Sequence, residues 1–162
     1  MIGAADLPYR RCVGIVLLNG DGRMLVARRR DTPDAWQMPQ GGIDPGEDPR
    51  AAAFRELKEE IGTDNAEIVA ELDGWLRYEL PEHLIGKVWQ GRYRGQEQKW
   101  FALRFLGRDE EIDLDAAADD EFDAWRWATA DEALAGIVPF KREVYAAVID
   151  GFRHLMRSPA SP

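Results

Sequence analysis

Residues 41–63 read Gly41-Gly42-Ile43-Asp44-Pro45-Gly46-Glu47-Asp48-Pro49-Arg50-Ala51-Ala52-Ala53-Phe54-Arg55-Glu56-Leu57-Lys58-Glu59-Glu60-Ile61-Gly62-Thr63. A glycine-rich loop feeds a helix. Asp48 is the expected N-cap, Pro49 suits the first helical position, and Gly62 suits a left-handed C-terminal cap. Ala53, Leu57 and Ile61 stand four apart and form the apolar stripe. Positions i, i+3 and i+4 share a helix face, so Glu56, Glu59 and Glu60 project together beside that stripe. Like charges at this spacing destabilise an isolated helix by a few tenths of a kcal/mol per pair. A divalent cation is a natural counter-charge, because hard cations take oxygen ligands and keep positions open for phosphate and water. A bare Glu-x-x-Glu-Glu is more commonly a solvated acidic face; the surrounding pattern argues otherwise.

That pattern, Gly41-x5-Glu47-x7-Arg55-Glu56-Leu57-x-Glu59-Glu60-x-Gly62-Thr63, resembles the Nudix box of hydrolases that split diphosphates linked to another group. Thr63 departs from the usual large aliphatic at a position that only packs. The resemblance implies an α/β/α sandwich with a mixed β-sheet. It also implies a site holding two or three magnesium ions, which manganese can replace. Glu56 and Glu60 are the first choices for ligands and Glu59 a further one, with a backbone carbonyl at Gln40 or Gly41 completing the shell. Metal ions there would orient a phosphorus and acidify a bound water. A carboxylate not committed to metal would take the proton, and the sequence does not decide which. Arg55 has two readings, a surface cation or a fork onto Glu47 or Glu59 that holds the acidic face. The resemblance favours the second.

At 162 residues, with 45% hydrophobic and 31% charged residues, the chain fits one globular domain. We expect that domain over residues 1–157 and a frayed tail over 158–162. The net charge of −9 opposes broad, non-specific nucleic-acid binding and argues against DNA as a partner. It leaves room for a single phosphorylated end neutralised by metal. Cys12 is the only cysteine, so no intrachain disulfide can form. Polar residues interrupt the N-terminal segment early, and its longest apolar run, residues 15–18, is far too short for a membrane span. A cytoplasmic protein is the expectation.

Residues 11–18 and 24–29 read as a hairpin across Asn19-Gly20-Asp21-Gly22. An extended piece over 36–39 leads to Gln40-Gly41-Gly42, where the glycines are expected to permit a tight turn and a close approach to ligand. Further strands are expected over 68–72, 75–80, 99–106 and 122–127, and helices over 129–134 and 141–156. Strands and helices alternate irregularly, which suits a sandwich around a mixed sheet.

Longer segments sharpen the resemblance. Tyr9-Arg10, Trp36-Gln37-x-Pro39-Gln40-Gly41-Gly42, Trp75-Leu76-Arg77-Tyr78, Gly95-Gln96-x-Gln98-Lys99-Trp100-Phe101, Glu121-Phe122-Asp123-x-Trp125-Arg126-Trp127 and Phe140-Lys141-Arg142-x-Val144-Tyr145 are similar to those of bacterial RNA pyrophosphohydrolases. That subfamily also contains dinucleoside polyphosphate (diadenosine tetraphosphate) hydrolases. The likeness implies removal of pyrophosphate from the 5′-triphosphate end of RNA, or asymmetric cleavage of diadenosine tetraphosphate into ATP and AMP. A nucleotide-binding module without catalysis is a third reading, opposed by the presence of all three glutamates. The likeness also implies that Glu121 reaches the metals from a distal loop, although an acidic triplet such as Asp119-Asp120-Glu121 is by itself usually solvated. It implies that Arg10, Val138, Phe140 and Lys141 meet the nucleotide end, with Tyr78, Gln96, Lys99 and, from the variable segment 28–34, Arg29 as further substrate contacts. Phe140 offers a face for base stacking, worth about 1–3 kcal/mol, or else caps the core before the last helix. Arg10 and Lys141 suit phosphate or are ordinary surface charges. Strand alternation allows only one of Gln98 and Lys99 to face the ligand. Cys12 reads as a small buried residue, and the six tryptophans read as core by default, Trp36 being the one nearest the glycine loop.

Overall fold

The structure, a computed structural model, describes residues 6–117 and 121–156. β1 (Tyr9–Leu18) and β2 (Met24–Arg29) are followed by two short strands, β3 (Trp36–Gln37) and β4 (Gln40–Gly42), and then by α1 (Pro49–Ile61). β5 (Ala66–Glu71), β6 (Leu76–Glu79), β7 (Gly95–Phe105) and β8 (Phe122–Ala128) complete the strands, and α2 (Ala130–Gly136) and α3 (Arg142–Phe152) close the chain. The hairpin between β1 and β2 turns on Asn19, whose Oδ1 accepts from the N–H groups of Asp21 and Arg23, both at 3.0 Å.

β1 and β7 run parallel in register from Tyr9↔Gly95 to Leu18↔Arg104, and every other pairing is antiparallel. The sheet is therefore mixed, with helices on both faces. On one face Val13, Ile15 and Leu17 of β1 meet Ala53, Leu57 and Ile61 of α1. On the other, Val16 and Leu18 meet Val148, Ile149 and Phe152 of α3. Period-two alternation along β1 thus feeds two cores from one strand.

One topological detail creates the site. β1 and β2 share only the register pair Leu18↔Met24 beside their turn. Away from it each takes another partner: β2 pairs with β3 and β8, and β1 with β4 and β7. The chain between β3 and β4 crosses the fork, and Ile15 N–H donates to Pro39 O at 2.9 Å. Met38 N–H donates to the Tyr145 hydroxyl at 2.8 Å, which ties that crossing to α3.

Several expectations shift. The extended piece over 36–39 is two strands broken at Met38 and Pro39. The last helix ends at Phe152 and finishes in a 3-10 turn. Asp48 occupies the N-cap with extended backbone, but its side chain makes no capping bond. Gly62 caps α1 as expected, with φ +83° and its N–H on Lys58 O at 2.9 Å. Asp119, Asp120 and the tail over 158–162 lie outside the described residues.

Candidate active site

α1 carries the acidic face, and its packing separates the three glutamates. Glu56 and Glu60, one turn apart, are 7% and 2% exposed, while Glu59 stands at the rim. Buried carboxylates require counter-charge and hydrogen bonds. Arg55 supplies much of both. Its Nε and Nη2 fork onto Glu47 at 2.7 Å each. Nη2 also donates to Gly42 O at 2.8 Å, and Nη1 reaches Glu56 Oε1 at 2.9 Å and Glu59 Oε2 at 3.2 Å. Arg55 is therefore the clasp of the acidic face and not a loose surface cation. It holds the Glu47 carboxyl down at about 2, its side-chain hydrogen bond being the largest cause. Glu47 itself accepts from Asp44 N–H at 3.0 Å, so the loop before α1 is pinned through the same carboxylate.

The glycines of the loop act differently from the expectation. Gly41 and Gly42 lie in β4, paired with Val13 and Cys12 of β1, and neither needs a positive φ. What they supply is space. A Cβ at Gly41 would fall among the carboxylate atoms of Glu56, and one at Gly42 would stand 2.7 Å from an Arg10 nitrogen. Glu56 thus lies flat against the β4 backbone, and Gln40 N–H donates to Glu60 Oε2 at 3.3 Å.

Next to this acidic face, and joined to it through Gln40, opens a cleft of about 360 Å³ whose walls come from both sides of the fork. Arg29, Gln40, Glu121, Arg10, Tyr78, Gln96, Val138, Phe140 and Lys141 all line it, although they are scattered from β1 to the start of α3. Glu121 arrives because Arg30 N–H donates to its carbonyl at 2.9 Å and β8 pairs with β2. Its carboxylate stands 3.4 Å from Arg29 Nη1. Arg29 is braced further by Asp31, through bonds of 2.8 and 2.9 Å. In the same cleft the Tyr78 and Phe140 rings stand 5.6 Å apart, tilted, with the Lys141 ammonium 5.6 Å from the Tyr78 ring centre. Desolvation, with the neighbouring Arg29 charge, brings the Lys141 ammonium down to about 8.

Lys99 is not brought to this cleft. Its ammonium donates to Leu72 O at 2.6 Å on the opposite side of β7. Alternation sends Gln96 and Gln98 inward instead, where Gln98 Nε2 donates to Gln96 Oε1 at 2.7 Å and to Gln40 Oε1 at 3.2 Å. Arg77 is spent on Glu97, at 2.9 Å. Trp36 packs between Arg28 and Arg126 and does not line the cleft. Cys12 is fully buried and burial pushes its thiol up to about 11, so it is no nucleophile. The sequence reading passed over Gln37, Asp31, Leu84 and Trp89 as cleft residues. Trp89 carried the one visible signal, an aromatic just before Gln90-Gly91; Trp89 and Gln90 are the positive-φ non-glycine residues, at +50° and +58°.

Among the described residues no three acidic, histidine or cysteine side chains stand together as a ready metal cage. Glu56 and Glu59 are turned to Arg55, and Glu121 to Arg29. The donor set still suits a hard cation: all are oxygens, two are on buried carboxylates one turn apart, and β4 leaves its backbone bare beside them. No helix among the described residues is long and apolar enough to cross a membrane.

Residues 8–148 match the model of the NUDIX domain. The chain is 60% identical over 148 residues to an RNA pyrophosphohydrolase of Rhodospirillum rubrum, covering 91% of this chain and 89% of that protein. It is 57% identical over 151 residues to an RNA pyrophosphohydrolase of Roseobacter denitrificans, covering 91% and 94%. The fold is similar to that of the E. coli dihydroneopterin triphosphate pyrophosphohydrolase, with a TM-score of 0.66, 24% identity and coverage of 88% and 98%.

Proposed function

This chain belongs to the Nudix hydrolase family, and from that premise we propose that it hydrolyses the 5′-triphosphate end of RNA, releasing pyrophosphate and leaving a 5′-monophosphate. One observation carries the proposal. One cleft borders the buried acidic face of α1 through Gln40, whose N–H donates to Glu60, and carries on its walls aromatic and cationic side chains, Tyr78, Phe140, Arg10 and Lys141. The first part suits a metal-neutralised phosphate chain and the second a nucleotide. The high identity to proteins named RNA pyrophosphohydrolase, over nearly all of both chains, supports the same reading.

Family membership implies a divalent metal. We assign magnesium, in two or three ions, to Glu56, Glu59, Glu60, Glu121 and the backbone carbonyl of Gln40 or Gly41. Once bound, the metal neutralises phosphate charge and acidifies the attacking water. The chain's own groups do the rest. Arg55 fixes the acidic face from behind. Arg29 and Lys141 attract phosphate oxygens, while Phe140 and Tyr78 hold a base. A glutamate of α1 or Glu121 takes the proton from water as its oxygen bonds to phosphorus. The anhydride P–O bond then breaks and pyrophosphate leaves with the electron pair.

The aromatic wall would also accept an adenosine, so asymmetric hydrolysis of diadenosine tetraphosphate is the second reading. A side-by-side measurement of kcat/KM on triphosphate RNA and on diadenosine tetraphosphate decides between them. Glu60→Gln, which keeps shape and removes an anionic oxygen, is expected to lower kcat on either by at least ~10²-fold. Near-normal turnover by the folded variant would remove Glu60 from the metal site. Phe140→Ala should lower kcat/KM on RNA by about tenfold or more, the loss of one stacking face. If it spares RNA and cripples the dinucleotide reaction, the second reading replaces the first.

A further inference from the structure

Gln37 has no place in the functions assigned above, yet it sits in the cleft. It is 1% exposed, lies on β3, and lines the wall beside Arg29 and Gln40. Its side-chain orientation is set by charge. Oε1 accepts from Arg29 Nη1 at 3.4 Å, which turns Nε2, a pure donor, the other way. Among the described residues Nε2 is the buried side-chain nitrogen or oxygen that lacks a hydrogen-bond partner. Buried polar groups are overwhelmingly paired, and one that is not destabilises the protein that carries it. An unpaired donor buried at the wall of a cleft that also holds Arg29, Arg10 and Lys141 is a group that a ligand's acceptor would satisfy.

We propose that Gln37 is a substrate-binding residue whose Nε2–H donates to a non-bridging oxygen of the polyphosphate chain. The position favours phosphate over base. Gln37 lies three residues before Gln40, which touches Glu60, and it adjoins Arg29 and through it Glu121. This inference rests on the assignment of the cleft to a phosphorylated nucleotide, and it names a further residue that reads the phosphates.

The test is Gln37→Met, which matches length and removes both polar atoms. Arg29 keeps Asp31 and Glu121 as partners, so the fold has little to lose. Two effects of opposite sign are expected. The melting temperature of the ligand-free protein should rise by roughly 2–6 °C, because the unpaired donor is gone. Affinity for inorganic triphosphate in magnesium, read by calorimetry, should fall about tenfold, the scale of one hydrogen bond to a charged group. On triphosphate RNA, KM should rise by a similar factor with kcat within about twofold. Gln37→Glu keeps the acceptor for Arg29 and sets an anion where the donor was. It should bind inorganic triphosphate more weakly than Gln37→Met, which keeps the proposal testable if the methionine variant folds poorly. Unchanged triphosphate affinity in both variants, or no triphosphate binding by the wild-type protein, overturns the role of Gln37. A wild-type protein that binds triphosphate but leaves triphosphate RNA intact overturns the substrate assignment and not the contact.

Discussion

Adding one methyl group to Gly41 should disable the site while sparing the fold. In Gly41→Ala the new Cβ lands among the carboxylate atoms of Glu56, and the backbone there is not strained by φ, so the clash is the whole perturbation. Two escapes exist. β4 can lift from β1, giving up the pairing of Gly41 with Val13 and of its neighbours with Cys12 and Gly14. Alternatively, Glu56 can rotate away and lose its 2.9 Å bond to Arg55. Disrupting a buried strand pairing leaves unpaired backbone groups, each costing about 1–3 kcal/mol. Rotating one side chain costs about 2 kcal/mol, in the usual range for a crowded core. The second route is cheaper, so the carboxylate moves. At about 2–4 °C per kcal/mol for a chain of this size, the melting temperature should fall roughly 4–8 °C. Loss of Glu56 from the proposed metal site should reduce kcat by about 10²-fold, equivalent to about 2.7 kcal/mol of transition-state stabilisation. The assay pairs thermal unfolding with magnesium titrations of turnover on triphosphate RNA. Gly20→Ala, where nothing lies within 4 Å, is the control and should change neither. Shortening the clashing side chain in Gly41→Ala/Glu56→Asp should recover part of the melting temperature. Normal turnover and normal magnesium dependence in Gly41→Ala would refute the placement of Glu56 against β4 as the element that the reaction needs.

Three further outcomes follow from the same geometry. Arg55→Lys keeps the charge but cannot reproduce the fork on Glu47 together with the bonds to Gly42, Glu56 and Glu59; stability in urea should fall by about 1–2 kcal/mol and kcat at least ~10-fold. Glu121→Ala should weaken magnesium activation, whereas Asp119→Ala should not, and equal small effects would return that acidic loop to a solvated role. Lys141 is brought down to about 8 by burial and Arg29, against the opposing charges of Glu121 and Glu60. In the proposed role its protonated form attracts phosphate, so kcat/KM on triphosphate RNA should fall as pH rises through about 8, and Lys141→Arg should move that fall far upward. The folded state binds fewer protons at Lys141 than the unfolded chain between that value and the ordinary lysine range. Stability from this group should therefore rise with pH across the same window, opposite to activity.

What the sequence determined by itself was local. The three-and-four spacing of Glu56, Glu59 and Glu60 put them on one face because helical geometry repeats within a turn. Pro49 and Gly62 bounded that helix through backbone preferences of single residues. Strand alternation showed that Gln98 and Lys99 must part company, though not which would face the ligand. Resemblance then gathered Arg10, Tyr78, Gln96, Val138, Phe140 and Lys141, and the cleft does contain them together. Only the tertiary structure decided the rest, because it depends on what another segment brings opposite. Gly41 is required by the carboxylate of Glu56, 15 residues on in the chain by their numbers, and not by a turn of its own backbone. Lys99 went to the carbonyl of Leu72. Gln37 is left with an unpaired donor, its oxygen being taken by Arg29. Periodicity tells which way a side chain leaves its own strand or helix; it carries no information about the partner that packing supplies.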